Sequence, residues 1–197
     1  MITNEIYPTT TLERPEKETL LNQKACVIWL MGLSGAGKST LSHHLAQRLH
    51  QEGFLTQSLD GDNLRTGLNN NLGFSEADRL ENIRRVAEVA KLFLNCGIVV
   101  IASFICPTQA TQNMVRNIVG ADFVEVFVNC PLEVCEARDV KGLYAKARAG
   151  IIKDFTGIDS PFEAPKSPEL MINTHLNSLE ECIHQIYQFV LPKIKKS

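Results

Sequence analysis

Two stretches of this 197-residue chain set residue types at spacings suited to chemistry on phosphate. The first, GLSGAGKST (32–40), contains Gly32-x-x-x-x-Gly37-Lys38-Ser39, the full pattern of a phosphate-binding loop. Glycines let backbone N–H groups turn inward around phosphate oxygens, and a following helix N-terminus adds partial positive charge. Lys38 can reach β- and γ-phosphates, and the Ser39 hydroxyl can ligate Mg²⁺. The loop residues Gly32, Leu33, Ser34, Gly35, Ala36, Gly37, Lys38, Ser39 and Thr40 are therefore candidates for holding a nucleoside triphosphate. The second stretch, LDGDNLRTGL (59–68), ends an apolar segment on Asp60 and Asp62 around Gly61, with Arg65 three residues on. A carboxylate there can orient an attacking hydroxyl, accept its proton, or hold Mg²⁺ through water.

Alternating elements must position these residues. ACVIWLM (25–31) is a near-continuous apolar run, as expected of a strand covered on both faces. Residues 38–52 have helical character and stop at Gly53; residues 54–59 form a second short strand. SEADRLENIRRVAEVAKLFLNCG (75–97) is the clearest helix, with Ser75-x-x-Asp78 resembling a capping box and Leu80, Ile83, Val86, Ala87, Ala90 and Leu94 as its apolar stripe. Strands are predicted at 98–104, 123–129 and 169–174, with a helix after Pro131 and another at the C-terminus. This rhythm implies an α/β fold, a three-layer parallel sheet with helices on both faces. Residues 1–24 read as a polar N-terminal arm with a helical turn near 15–22, and 25–197 as one nucleotide-binding domain. Residues 139–168 break the rhythm: rich in Lys, Gly, Asp and Pro, they are predicted to be a mobile lid.

Bulk properties narrow the class. The chain is 44% hydrophobic, 21% charged and carries a net charge of −2, which gives no global basis for binding nucleic acid. No apolar run approaches the ~20 residues needed to cross a bilayer, and the N-terminus lacks the apolar centre of a secretory signal, so a cytoplasmic protein without membrane partners is expected. The six cysteines form no CxxC pair and are expected to be buried small hydrophobes rather than bridges or metal ligands. The chain has no NKxD guanine-reading motif, and its third strand ends in Ser103-Phe104-Ile105-Cys106-Pro107 rather than Asp-Glu. A small-molecule kinase fits better than a GTPase or a motor ATPase.

The acceptor is hinted at further along. Phe74 precedes the long helix, and Arg79 and Asn82 lie three apart on one of its faces. Together with Arg65, they suit an acceptor with a planar base and an anionic group. Read singly, Arg79 fits a solvated helix charge and Phe74 a hydrophobic staple equally well.

The series GLSGAGKST, LDGDNLRTGLNNNLGFSEADRLENIRRVAEVAKLF, SFICP, RDVKGLYAKARAG and DFTGIDSPFEAP resembles the motif series of the adenylylsulfate kinase (APS kinase) family, from about Gln23 to the C-terminal helix. The resemblance implies transfer of the ATP γ-phosphate to the 3′-hydroxyl of adenosine 5′-phosphosulfate, with Mg²⁺ as cofactor. It implies catalytic roles for Asp62, Lys38 and Lys141, metal ligation by Ser39 and Asp62, and support from Asp60. Arg65, Arg79 and Asn82 would hold the phosphosulfate and ribose, Phe74 and Phe155 would sandwich the adenine, and Ile105, Cys106 and Leu143 would line the acceptor site. Lys141 would reach phosphates from the lid and Arg138 would lie near the nucleotide base. A lid carrying Lys141, Lys146, Arg148 and Lys153, with Gly142 and Gly150 as hinges, could close over two anionic substrates and exclude water.

The chain departs from the family at four places. Cys106 stands where serine is usual, so no phosphoserine can form there; without a neighbouring base it is expected to be a packing residue rather than a nucleophile. Thr108 replaces a frequent tyrosine, Ala145 a lysine and Ile151 a glutamate. A gluconate- or nucleotide-type kinase, or a non-catalytic nucleotide-binding module, are the competing readings; intact Lys38, Ser39 and Asp62 argue against the latter. The polar arm could serve a homodimer.

Overall fold

The computed structural model describes residues 12–196. Five parallel strands form one sheet in the order β2-β3-β1-β4-β5. These are β1 (Val27–Met31), β2 (Thr56–Asp60), β3 (Val99–Phe104), β4 (Phe123–Asn129) and β5 (Leu170–Asn173). Every residue of β1 and β3 is buried, which explains their unbroken apolar runs: both faces are covered. Because successive side chains alternate in a strand, Ile28, Leu30, Ile101, Val124 and Val126 point to one face, and Val27, Trp29, Val100 and Ala102 to the other.

The first face is covered by α2 (Lys38–Gln51) and α8 (Leu179–Ile194), with the shorter α6 (Leu132–Arg138) and α7 (Leu143–Arg148) at its carboxyl end. The second is covered by α4 (Glu76–Asn95) and α5 (Gln109–Val119). The order places β1 centrally, with successive connections leaving it in opposite directions. The loop after β1 therefore opens at the crevice where such sheets bind ligands.

Local chemistry refines several expectations. The Ser75 hydroxyl caps α4 by accepting from the Asp78 N–H at 3.2 Å. The Asp78 carboxylate accepts from that hydroxyl rather than from the Ser75 backbone, so the box is only half made; Asp is one methylene shorter than the Glu that completes it. Leu80 is exposed and does not join the buried stripe. The first half of α4 lies against the loop after β2, where Arg85 donates to Leu68 O and Asn71 Oδ1. Five cysteines are buried and all six are free; Cys96, at the end of α4, is exposed.

Three short elements have no counterpart in the sequence reading: α3 (Gly61–Arg65), α5 and α7. The last lies inside the 139–168 segment, where Asp139 accepts from the Tyr144 and Ala145 N–H groups. That segment is thus folded, with its own helix and turns. The described part of the N-terminal arm contains α1 (Arg14–Leu21), docked by Arg14 on Asp122 (2.6 Å) and Ala25 O (2.8 Å); residues 1–11 lie outside the described part. Among the described residues no helix is long and apolar enough to cross a membrane.

Candidate active site

The phosphate loop is wedged against its neighbours by backbone. A Cβ on Gly32 would lie 2.5 Å from Val128 O, and one on Gly35 would lie 2.9 Å from Cys135 O, so only glycine fits at either position. The loop's shape is also held from outside: Thr174 Oγ1 donates to Ala36 O (2.8 Å), Tyr144 Oη to Ser34 O (2.9 Å) and Arg138 to Gly35 O (3.3 Å). Gly37 begins α2 without a side-chain cap, which leaves the first N–H groups of the helix for an anion. Lys38 folds back so that Nζ donates to Leu33 O at 2.8 Å. Desolvation pulls its pKa down to about 8, with the nearby Lys141 charge also lowering it; an anionic ligand would reverse both effects.

The two aspartates of LDGDNLRTGL have different surroundings. Asp60, at the end of β2, pairs in register with Ser103 of β3. Its Oδ2 accepts from Ser39 Oγ (2.8 Å) and Ser103 Oγ (2.9 Å), while Oδ1 caps α3 by accepting from the Asp62 N–H (3.0 Å). Burial works against the charged form, but these three hydrogen bonds outweigh it and hold the Asp60 pKa below the usual carboxylate range. Asp62 is exposed and forms an ion pair with Lys141. The structure thus puts Asp60, rather than Asp62, in contact with Ser39, whereas the resemblance gave metal ligation to Ser39 and Asp62.

Among the residues expected to face the acceptor, Arg65 donates to Leu72 O (3.2 Å) and Gly73 O (2.9 Å) and stacks over the Phe74 ring at 4.5 Å. Arg79 donates to Phe74 O (2.8 Å) and to Thr156 Oγ1 (3.2 Å), joining α4 to the 154–160 segment. Desolvation and the neighbouring Arg79 charge lower the Arg65 pKa, an arrangement that an anion between them would relieve. Asn82 is nearly buried and its Oδ1 accepts from Asn69 Nδ2 (3.0 Å), so its remaining amide hydrogens are the group it can offer.

The two rings expected to sandwich a base are not presented alike. Phe74 is 67% exposed, but Phe155 is 8% exposed and packs edge-on to Tyr144 at 5.1 Å, within the core. Phe155 closes apolar packing because α7 brings Tyr144 against it. Ile105 is half-buried; Cys106 is fully buried in the cluster that holds Trp29, with φ of +46°. Burial pushes its thiol up to about 12, which removes it as a nucleophile. Arg138 contacts phosphate-loop backbone and Thr174, and Leu143 packs at the margin of the core. Of the lid's charges, Arg148 is engaged with Glu136 (2.8 and 2.9 Å). Thr108 caps α5, and Ala145 and Ile151 are exposed. A cavity of about 530 Å³ opens between Leu33, Leu132, Gly157, Ile158, Pro161 and Phe162.

Sequence reasoning missed Ser103, Tyr144 and Thr174. Only Ser103 left a signal, as a hydroxyl at the end of a buried apolar run beside the strand that bears Asp60.

A sequence model of the adenylylsulphate kinase family matches residues 24–173. The chain is similar to the adenylyl-sulfate kinase of Bacteroides thetaiotaomicron, 56% identical over 196 residues and covering 98% of each protein. It is 51% identical to that of Clostridium kluyveri over 194 residues, again covering 98% of each. Its structure resembles an APS kinase of Mycobacterium tuberculosis solved in complex with AMPPNP and APS, with a TM-score of 0.82 and 44% identity, covering 85% of this chain and 98% of that one.

Proposed function

The chain belongs to the adenylylsulphate kinase family, and from that premise we propose that it moves the γ-phosphate of ATP to the 3′-hydroxyl of adenosine 5′-phosphosulfate (APS). The products are ADP and 3′-phosphoadenosine 5′-phosphosulfate. The observation that carries this reading is the meeting of two sets of groups at the carboxyl end of the sheet: Ser39 of the phosphate loop on Asp60, and Lys141 on Asp62 beside the Arg65–Arg79 pair.

In this reading the 3′-oxygen attacks the γ-phosphorus in line, and the bond from that phosphorus to the β,γ-bridging oxygen breaks. Asp62 accepts the proton of the hydroxyl; it is the exposed carboxylate, with no hydroxyl donors holding it as Asp60 has. Lys38, whose charged form bound phosphates would favour, and Lys141, drawn from Asp62 to the incoming phosphates, balance charge on the transferring group. Arg65, Arg79 and the Asn82 amide hold the phosphosulfate and ribose, and Phe74 offers one ring face to the adenine. Phe155, packed on Tyr144, would serve indirectly, as the neighbour of Thr156, which accepts from Arg79.

The residues fit Mg²⁺, which takes oxygen ligands and keeps several waters: Ser39 and the anionic Asp60 bring two hard oxygens together at 2.8 Å. They would hold the ion, directly or through water, while Asp62 serves the acceptor. Bound there, Mg²⁺ would neutralise phosphate charge.

An ADP-release assay with purified protein, ATP, Mg²⁺ and a panel of APS, AMP and gluconate tests the assignment. Turnover is expected with APS; turnover with gluconate or AMP alone overturns it, and none with any acceptor favours a regulatory module.

A further inference from the structure

Ile105 and Cys106, which the family resemblance sets against the acceptor, lie in the 105–107 turn after β3, and this turn runs beside the strap 160–164, whose first three residues line the cavity. Turn and strap are joined by a set of hydrogen bonds centred on one buried amide. Gln112, in the second turn of α5, is 4% exposed. Its Nε2 donates to Cys106 O (3.3 Å) and Glu163 O (2.8 Å), while its Oε1 accepts from Gln109 Nε2 (2.9 Å). Gln109 extends the clamp by donating to Ala164 O (2.9 Å) from its side chain and to Glu163 Oε2 (2.6 Å) from its backbone. The Glu163 N–H closes the set on Pro107 O (2.8 Å).

A second, independent feature falls on the same turn. Cys106 has φ of +46°, a left-handed conformation that residues with a side chain rarely adopt. Such a conformation persists only where the surroundings over-determine it. Here the thiol is locked in the core, and the carbonyl of the same residue is held by Gln112. The turn next to the acceptor is therefore held in an unfavoured shape by a side chain that is itself out of reach of any ligand.

We propose that Gln112 is a positioning residue for the acceptor: its carboxamide fixes the 105–107 turn to the 163–164 strap and so sets the width of the acceptor pocket. Within α5 the amide is ideally suited, since it can donate twice to carbonyls and still accept from Gln109. ATP, held by a loop wedged on Val128 and Cys135, does not depend on this clamp.

The inference rests on the APS reading, and wild-type turnover of APS tests that reading first. Gln112→Met keeps the side-chain volume and removes both donors. The KM for APS is expected to rise about tenfold while the KM for ATP stays within about twofold. Gln109→Ala, on a half-buried side chain, should raise the APS KM in the same direction by about threefold. Should Gln112→Met fail to fold by circular dichroism, Gln109→Ala decides alone. An active wild-type enzyme whose folded variants keep their APS KM, or show equal rises for both substrates, overturns the clamp and leaves the kinase assignment standing.

Discussion

The phosphate loop and the proposed acceptor pocket both lie at the carboxyl end of the sheet but are built by different means. The loop is one continuous stretch, and its shape follows from backbone packed on backbone: Gly32 against Val128 and Gly35 against Cys135. The acceptor pocket proposed above draws on α3, the start of α4, the 105–107 turn, Thr156 and the strap 160–164. Those pieces are joined by side-chain donors, some to carbonyls nearby in sequence (Arg65 to Gly73, Arg79 to Phe74, Gln112 to Cys106) and some to distant groups (Arg79 to Thr156, Gln112 to Glu163). Backbone wedging tolerates almost no substitution. A side-chain network shares its load, so single losses should be graded.

That contrast is most easily broken at Gly32. In Gly32→Ala the new methyl would sit 2.5 Å from a carbonyl oxygen of a central strand, which cannot move without shifting the sheet. The loop must shift instead, and kcat/KM for ATP should fall about 10³-fold, strain and misplacement compounding. A loss under about tenfold in steady-state kinetics would show the loop to be as forgiving as the network. Next in size is Asp62→Asn, expected to lower kcat about 10²-fold while leaving the ATP KM near wild type, because the side chain is exposed and anchors no other element than Lys141. A near-normal kcat would remove Asp62 from proton transfer.

Lys38 supplies a pH test of the donor half. Its pKa of about 8 in the free protein lies below its unfolded value, and bound phosphates would raise it again. Binding above pH 8 must then take up a proton, so ATP affinity is fully present at lower pH and is lost as pH rises through that value, approaching about tenfold per unit. Calorimetry at pH 9 in buffers of different ionisation enthalpy reads the uptake directly. Equal heats in both buffers would show that Lys38 keeps its proton in the free protein.

The same contrast explains what could be read from the chain. The phosphate loop was legible because its glycines, Lys38 and Ser39 are contiguous and sit between a buried strand and a helix. The sheet was legible because runs such as VIWLM need cover on both faces. Which aspartate serves which partner was not: Asp60 is distinguished by hydroxyls that reach it by different routes, Ser103 through the β2–β3 register and Ser39 from the start of α2. Phe155 kept its aromatic signal in sequence, yet α7, too short to show a periodic pattern, turns Tyr144 onto it. The Gln109–Gln112 clamp was invisible because its partners in the strap lie 51 to 55 residues away, although Cys106 is only six.

The smallest expected effect lies where the two halves come closest in chemistry. Cys106 sits in the turn proposed to face the acceptor, but its side chain belongs to the apolar layer with Trp29, Phe104 and Val115. What the turn presents to a ligand is backbone, and the backbone is set by Gln112 and by the left-handed φ. Cys106→Ser replaces one small buried group by another, with the Thr111 and Trp29 side chains at hand for the hydroxyl. Turnover should stay within about threefold of wild type, with a modest loss in melting temperature from burying a more polar atom. A fall beyond about tenfold with the melting temperature unchanged would mean that the thiol itself takes part in the reaction, and that the turn's chemistry is not confined to its backbone.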